Sequence, residues 1–239
     1  AKAFDIQFTD KDNTLKHVYQ TSWGMTTRMI GAIIMVHGDD NGLVLPPRIA
    51  PVQIMVVPIQ QKKEGVLDKA FELRDRLIKS GFSVKVDDSD KSPGWKFADC
   101  EMRGIPLRVE IGPKDMENNQ CVLVRRDNRE KTFVSLDELE DRIPRLLQAV
   151  HDGLYEKALA RRESMTYTVH TLDEMKETAD RKPGLIRAMW CGDLECELKL
   201  KEEAGVSSRC MPFEQEAVGD RCVCCGKPAK KLVVWGKAY

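Results

Sequence analysis

The stretch Gln53-Ile-Met-Val-Val-Pro-Ile59 decides the fold of this chain. Its apolar residues run almost without interruption, as in a strand that is buried on both faces of a sheet. An amphipathic helix follows, with Leu67, Ala70 and Leu73 at helical spacing, and Gly81 ends it. This alternation of strand and helix predicts an α/β domain.

The pattern continues downstream. Alternating or continuous apolar residues predict further strands at 82–86, 107–111 and 121–125. Together with the first strand and helix they indicate a mixed sheet in an α/β domain at residues 46–150. No internal repeat or low-complexity tract is visible.

Two helices are marked by capping boxes. Ser135 with Glu138 opens a helix that Pro144 should interrupt or kink, before a connecting helix at residues 151–165. The second capping box, Thr171 with Glu174, opens a helix in the C-terminal domain at residues 166–239.

The N-terminal residues form a smaller pattern. Alternation at 4–8 predicts a half-buried strand, a second short strand is expected near 18–19, and residues 26–37 are expected to be helical. The proline-rich stretch 45–51 is a linker. Because two short strands and one helix cannot bury a core alone, we expect residues 1–45 to belong to a larger domain.

Composition and charge exclude little. The 239 residues contain 38 basic and 38 acidic side chains, so net charge indicates no polyanionic partner. No apolar stretch approaches the roughly 18 residues that a membrane span needs, and no secretion signal opens the sequence, so we expect a soluble cytoplasmic protein. A local basic run at 125–131 is interpreted as a solvated hairpin turn.

Six of the eight cysteines fall within 35 residues of the C-terminal domain. Without a secretory context, such clustering favours metal binding over disulfides. Two close pairs have metal-ligand spacing: Cys191 with Cys196, and Cys222 with Cys225. Four thiolates suit one structural Zn²⁺ in a closed tetrahedral site. Cys224 competes with Cys225 for the fourth position, but the glycine directly after Cys225 favours the latter. Cys210 is interpreted as a packing residue.

Three groups of residues resemble one known family. They are Thr21-Ser-Trp-Gly-Met-Thr-Thr-Arg28 with His37-Gly-Asp-Asp40 and Leu45-Pro-Pro47; Pro93-Gly-Trp-Lys-Phe97 with Glu110-Ile-Gly-Pro-Lys-Asp115; and the cysteines with Gly236-Lys-Ala-Tyr239. In this order they resemble the third signature motif, the anticodon-binding domain and the C-terminal zinc domain of class II prolyl-tRNA synthetases. The variety resembled occurs in archaea, eukaryotes and some bacteria.

The resemblance implies a role for the N-terminal residues. These enzymes activate proline with ATP and Mg²⁺, then transfer the prolyl group to tRNA(Pro). Residues 1–45 would be the end of the antiparallel catalytic sheet. Arg28 would act as the catalytic arginine at the ATP γ-phosphate, a task that a permanently charged, bidentate guanidinium suits. Thr26 would contact the nucleotide, and Ser22, Trp23 and Gly24 would lie on a strand under the prolyl-adenylate.

The resemblance also implies a set of anticodon-binding residues, namely Phe97, Glu101, Arg108, Lys114, Asp115 and Lys131. Proline anticodons share two guanines. A carboxylate can accept hydrogen bonds from the Watson–Crick edge of guanine, an aromatic ring can stack on a splayed base, and cations suit O6, N7 or phosphate. Arg126 is an alternative to Lys131 as a phosphate contact.

Alternatives remain at this stage. The family's first two motifs are not among these residues, so we expect the chain alone to be inactive, whereas the full-length enzyme should be a homodimer with no membrane association. A tRNA-binding accessory module without catalytic activity, another class II synthetase such as those for threonine, histidine or glycine, and a purely structural zinc scaffold are the other interpretations.

Overall fold

A computed structural model of the chain describes residues 1–229 and 231–237. The N-terminal part is a two-stranded antiparallel hairpin, β1 (Gln7–Thr9) and β2 (Leu15–His17), followed by helix α1 (Arg28–His37). The second strand begins earlier than predicted, because a tight turn in which Asp10 N–H donates to Thr14 O pairs Thr9 with Leu15. Residues 18–26 are in no strand.

The central unit is a five-stranded mixed sheet in the order β4-β3-β5-β6-β7. Its elements, in chain order, are β3 (Ile54–Pro58), α2 (Val66–Lys79), β4 (Val84–Val86), α3 (Pro93–Met102), β5 (Leu107–Ile111), α4 (Pro113–Glu117), β6 (Gln120–Arg125), β7 (Lys131–Ser135) and α5 (Leu139–Ser164). Strands β4, β3 and β5 are parallel, and β6 and β7 continue the sheet as antiparallel strands. The α/β class and the strands expected at 53–59, 82–86, 107–111 and 121–125 are confirmed to within a few residues.

The two faces of this sheet differ because side chains alternate along each strand. Leu107, Val109 and Ile111 point to the main apolar core, which α2 and α5 cover. Arg108 and Glu110 point to the opposite face, where α3 covers only part of the sheet. Across β5, β6 and β7, Arg108 is in register with Val124 and Lys131. Glu110 is in register with Val122 and Phe133.

Helix α5 differs from its prediction. Ser135 Oγ accepts from Asp137 N–H and caps a short 3₁₀ turn (Leu136–Glu138), from which α5 continues for 26 residues. Pro144 lies inside the helix without interrupting it. Its missing N–H leaves only the carbonyl of Glu140, in the first turn, without its usual intrahelical donor.

The C-terminal unit is a four-stranded sheet in the order β10-β11-β9-β8. Its elements are β8 (Thr166–Thr168), α6 (Leu172–Arg181), β9 (Leu185–Trp190), α7 (Leu194–Ala204), β10 (Val206–Cys210) and β11 (Lys231–Lys237). The predicted cap of α6 is present, since Thr171 Oγ1 accepts from Glu174 N–H. Cys210 is exposed in β10, so the prediction that it is a packing residue is wrong.

No helix in residues 1–229 or 231–237 is long and apolar enough to cross a membrane. The Ala238 and Tyr239 part of the quoted C-terminal sequence lies outside the described residues.

Candidate functional sites

Four cysteines of the C-terminal unit converge on one point. The sulfur atoms of Cys191, Cys196, Cys222 and Cys225 all lie within 4.8 Å of one another. The Cys191 Sγ is 3.7 Å from Cys196 Sγ and 3.9 Å from Cys225 Sγ. Thiolates bound at about 2.3 Å to a tetrahedral Zn²⁺ would lie about 3.8 Å apart. The four cysteines are therefore placed to hold a metal ion.

Local backbone conformation creates this arrangement. Gly192 and Gly226, each directly after a cysteine, have φ of +94° and +69°, in the left-handed region that favours glycine. Around Cys222, the Cys222 N–H donates to Lys227 O at 2.8 Å and the Gly226 N–H donates to Cys222 O at 2.9 Å. The chain thus turns tightly enough to bring both cysteines of the second pair to the same side.

The same turn favours a thiolate. Burial raises the pKa of the Cys222 thiol, but the backbone N–H groups of Cys225, Cys224 and Cys191 donate to its sulfur and lower the pKa to about 7. Metal ligation needs a deprotonated sulfur, and donated N–H groups reduce the repulsion between thiolates. Burial raises the pKa of the Cys191 and Cys196 thiols, so the surroundings favour a thiolate at Cys222 and not at these two. The identity of the four donors and the distances between them fit a four-thiolate metal centre.

Cys224, the alternative fourth ligand, has a different position. Its partly buried side chain packs against the apolar core of the C-terminal unit, whose members include Val169 and Met175. It is not in the group of sulfurs that lie within metal-binding range of one another. The structure therefore places Cys225 with the other three.

The second site is the open face of the five-stranded sheet, where a buried arginine is held on three sides. The Arg108 guanidinium carbon lies 4.1 Å from the centre of the Phe97 ring. Arg108 Nε donates to Glu110 Oε1 at 3.0 Å, and an Arg108 Nη lies 3.7 Å from Glu101 Oε1. With Arg108 only 6% exposed, its orientation is fixed before any ligand arrives.

Glu101, Lys131 and Phe97 surround this arginine with groups of different chemistry. The Glu101 carboxylate is partly exposed at the end of α3, and Lys131 Nζ lies 4.0 Å from Glu110 Oε2. A stacking ring, an acceptor and two cations therefore share one surface, which is a combination that recognises unstacked nucleobases and their phosphates. We call the surface formed by Phe97, Glu101, Arg108 and Lys131 the charged face.

Lys114 and Asp115 lie apart from the charged face, in α4 after the end of β5. Asp115 Oδ2 accepts from Gly112 N–H at 2.9 Å, so this carboxylate closes the N-terminus of α4. Lys114 is exposed. These two predicted base contacts are not brought together with Glu101, and part of Asp115 already has a local structural role.

Sequence reasoning overlooked two residues of the charged side of the sheet. Glu110 orients Arg108, and Phe133, 66% exposed in β7, offers a second aromatic surface. The signal in the sequence that could have revealed Glu110 is the alternation of charged and apolar residues along its strand. Arg108 and Glu110 alternate with apolar residues in a buried strand, whereas Phe133 lies beyond the run 125–131 that was interpreted as a turn and has no such signal.

The predicted phosphate contact Arg126 has another role. Its guanidinium is 4% exposed and makes two hydrogen bonds to the Asp39 carboxylate, at 2.8 Å and 2.6 Å. Arg125 is likewise engaged, with Asp127. The interpretation of residues 125–131 as a solvated hairpin is therefore wrong for these two arginines, because each has a carboxylate partner and lies largely out of solvent.

The predicted ATP-binding residues are open to solvent. Arg28 is exposed in the first turn of α1, and its N–H donates to Thr26 Oγ1 at 3.3 Å. Ser22, Trp23 and Gly24 precede the helix and belong to no helix or strand, and the Trp23 side chain is 94% exposed. The expected strand is absent there because no strand in the described part of the chain lies beside these residues. Among residues 1–229 and 231–237, Arg28 and the residues directly before α1 are thus exposed rather than enclosed in a pocket.

Two protein-family models match the two parts of the chain that contain these sites. Residues 53–146 match the family model of the anticodon binding domain, and residues 172–239 match the model of the prolyl-tRNA synthetase C-terminal domain. Together these two matches span more than half of the chain. The first defines the class, an aminoacyl-tRNA synthetase with its anticodon-binding domain.

Individual relatives specify the family. The chain is 66% identical over all its 239 residues to a proline–tRNA ligase of Clostridium novyi and 61% identical to proline–tRNA ligase 2 of Bacillus cereus. A crystal structure of prolyl-tRNA synthetase from Cryptosporidium parvum, complexed with L-proline and AMP, superposes with a TM-score of 0.91 at 39% identity and covers the whole chain. The chain spans about half the length of these relatives, at 50% and 51%. It belongs to the prolyl-tRNA synthetase family, of which it carries the C-terminal part.

Proposed function

We propose that this chain is the tRNA-recognising part of a proline–tRNA ligase. The parent enzyme would activate proline with ATP and Mg²⁺ and transfer it to tRNA(Pro) in the cytoplasm, as a homodimer. The observation that supports this most directly is the charged face, on which an oriented arginine, a carboxylate and an aromatic ring meet within the stretch that matches an anticodon-binding domain.

The charged face suits guanine. The Glu101 carboxylate can accept from N1–H and N2–H of a splayed guanine, and Phe97 can stack on a base. Arg108 can reach O6 or a phosphate, with Lys131 as a further cation. Lys114 and Asp115, at the carboxyl end of β5, would contact a neighbouring nucleotide of the same loop. In the N-terminal segment, Ser22, Trp23, Gly24, Thr26 and Arg28 would complete an ATP and prolyl-adenylate site only together with the rest of the enzyme.

The cysteine cluster would hold one structural Zn²⁺. Cys191, Cys196, Cys222 and Cys225 fill all four positions of a tetrahedral site, so no coordination position remains for a substrate. Bound zinc would supply only cross-linking and charge neutralisation. The chain's own residues do the rest, since the donated N–H groups around Cys222 and the turn at Gly226 hold the thiolates in position.

Anticodon binding is tested with the 239-residue chain and fluorescently labelled tRNA(Pro). The variant Glu101→Gln should weaken binding by about 1–3 kcal/mol, because an amide cannot accept both guanine N–H groups as the carboxylate does. Binding of a tRNA in which the two anticodon guanines are replaced should already be weak and should change little in this variant.

The matched control is Glu156→Gln, an exposed carboxylate on α5 away from the charged face. It should bind as the wild type does. Equal losses in Glu101→Gln and Glu156→Gln, or wild-type binding that ignores the anticodon, would exclude the proposed role. The full-length enzyme is then assayed for proline-dependent ATP–pyrophosphate exchange, and the 239-residue chain alone should show none.

A further inference from the structure

The segment that leaves α1 is fastened to the end of α3. Leu43 N–H donates to Met102 O at 3.1 Å, and Leu45 N–H donates to Gly104 O at 3.2 Å. Helix α3 carries Phe97 and Glu101 of the charged face, whereas α1 begins at Arg28. The two predicted sites are therefore joined by backbone hydrogen bonds over a short path.

Two glycines make this junction close. Gly42 has a φ of +130°, and a Cβ there would lie 2.5 Å from the Met102 Cα. A Cβ on Gly104, whose φ is +69°, would lie 2.7 Å from the backbone of Leu43. Backbone therefore packs directly on backbone, with no flexible side chain between the segments to absorb a displacement.

An ion pair between the buried Arg126 and the more exposed Asp39 spans the same junction. Arg126 uses both terminal nitrogens for the Asp39 carboxylate and its Nε for the carbonyl oxygen of Glu101, at 3.0 Å. The Arg126 guanidinium holds the pKa of the Asp39 carboxyl well below its usual range. The Arg126 guanidinium thus contacts both the backbone of Glu101, on the charged face, and Asp39, the second residue after α1.

Asp39 is tightly linked to α1. The helix ends at His37, and the next N–H, of Gly38, donates to Ile34 O at 2.8 Å. The Asp39 and Gly42 backbones pair with each other in both directions, at 3.0 and 3.1 Å, which closes the loop. A displacement of Asp39 would therefore move the whole ten-residue helix.

We propose that Arg126 and Asp39 are positioning residues that couple the binding of the correct anticodon on the charged face to the placement of α1 and Arg28. Base contacts at the Glu101 side chain fix the last turn of α3, and hence the Glu101 carbonyl that Arg126 holds. Arg126 then fixes Asp39 and the end of α1. The coupling rests on the proposed function, and it acts on the rate of prolyl transfer rather than on tRNA affinity.

The test uses the full-length enzyme that contains this chain and compares Asp39→Asn with Asp40→Asn. Asp40 is the adjacent exposed carboxylate and serves as the matched control. Aminoacylation kcat and KM are measured with tRNA(Pro) and with a tRNA in which the two anticodon guanines are replaced. In the wild type, the replacement should raise KM and lower kcat. In Asp39→Asn the KM penalty should persist while the kcat penalty shrinks at least about fivefold.

A second variant, Arg126→Lys, protects the test against misfolding, which is checked by thermal unfolding and bound zinc. Lysine keeps the charge but cannot hold the carboxylate and the Glu101 carbonyl in one planar fork, so it should shrink the kcat penalty as well. A purely structural role predicts instead that both variants slow both tRNAs by the same factor, and that result would overturn the inference. A wild-type enzyme that does not charge tRNA(Pro) would overturn the proposed function itself.

Discussion

The central and C-terminal units are both α/β, but they are held together differently. The main core of residues 53–164 contains sixteen buried apolar residues from five strands, two helices and the 3₁₀ turn. In residues 166–229 and 231–237 the corresponding core contains ten, and four cysteines of the same unit converge on one point. A small unit buries a smaller fraction of its surface, so a bound metal has more influence on its stability. The comparison contrasts one fold class stabilised by packing alone with the same class in which the proposed zinc site would add ligation to packing.

The strongest test of this difference is removal of the metal. Chelation, or Cys222→Ser, should abolish protection of β9 and β11 against hydrogen exchange while β3 and β5 stay protected. The reason is that structural zinc contributes on the order of 10 kcal/mol to folding in small zinc domains. Hydrogen exchange followed by mass spectrometry resolves the two units. Cys224→Ser is the control and should keep both the metal and the protection. If Cys224→Ser lost the metal and Cys222→Ser kept it, the assignment of ligands would be wrong.

Truncating the larger core should have the next largest effect. Leu123 in β6 is 1% exposed, and Leu123→Ala should lower the free energy of unfolding of the central unit by about 2–5 kcal/mol through lost burial and a cavity. The zinc content should not change. Phe133→Ala on the neighbouring strand removes a larger but exposed side chain, and it should cost no more than about 0.5 kcal/mol. Urea unfolding measures both, and similar values for the two variants would contradict this description of the core.

A helix cap should give the smallest effect. Thr171→Ala removes the side-chain acceptor from the Glu174 N–H at the start of α6, and should cost about 1 kcal/mol. Because this helix lies in the smaller unit, the loss should appear as lower hydrogen-exchange protection there and nowhere in the central unit. Thr168→Ala, an exposed threonine on the edge strand β8, is the comparison and should be close to neutral. Equal effects of both variants would mean that the cap contributes nothing.

Much of the fold could be predicted from local patterns. Residues that are close in sequence were enough to predict three features: the apolar strand at 53–59, the strand at 107–111 and the threonine cap of α6. Helix α3 was not predicted, and its first turn contains Pro93 and Gly94, which are residue types of low helix propensity. In fact a proline in the first turn lacks only an N–H that would have no intrahelical partner.

The functional sites show the same difference between residues that are close in sequence and residues that are distant. The cysteine pairs were recognised because each pair is close in sequence, although the choice of Cys225 needed the fold. The role of Arg126 could not be found in this way, because its partner Asp39 lies 87 residues away. For Asp115 the resemblance to a base-binding residue also failed to reveal a partner, although this one is local. Its carboxylate accepts a hydrogen bond from the Gly112 N–H. Long-range partners decide whether a charged side chain faces solvent, and sequence spacing does not encode them.

Helix α5 has one more consequence. Its 26 residues run without a break from the core of the central unit to Ser164, two residues before β8 begins, a length of about 39 Å. A continuous helix transmits rotation as well as distance, since each added residue turns the chain by about 100° and advances it about 1.5 Å. The number of residues in α5 therefore determines how far the C-terminal unit is rotated about the helix axis. One residue inserted into the exposed part of α5 would turn that unit by more than a quarter of a revolution, even though every residue on either side kept its own fold.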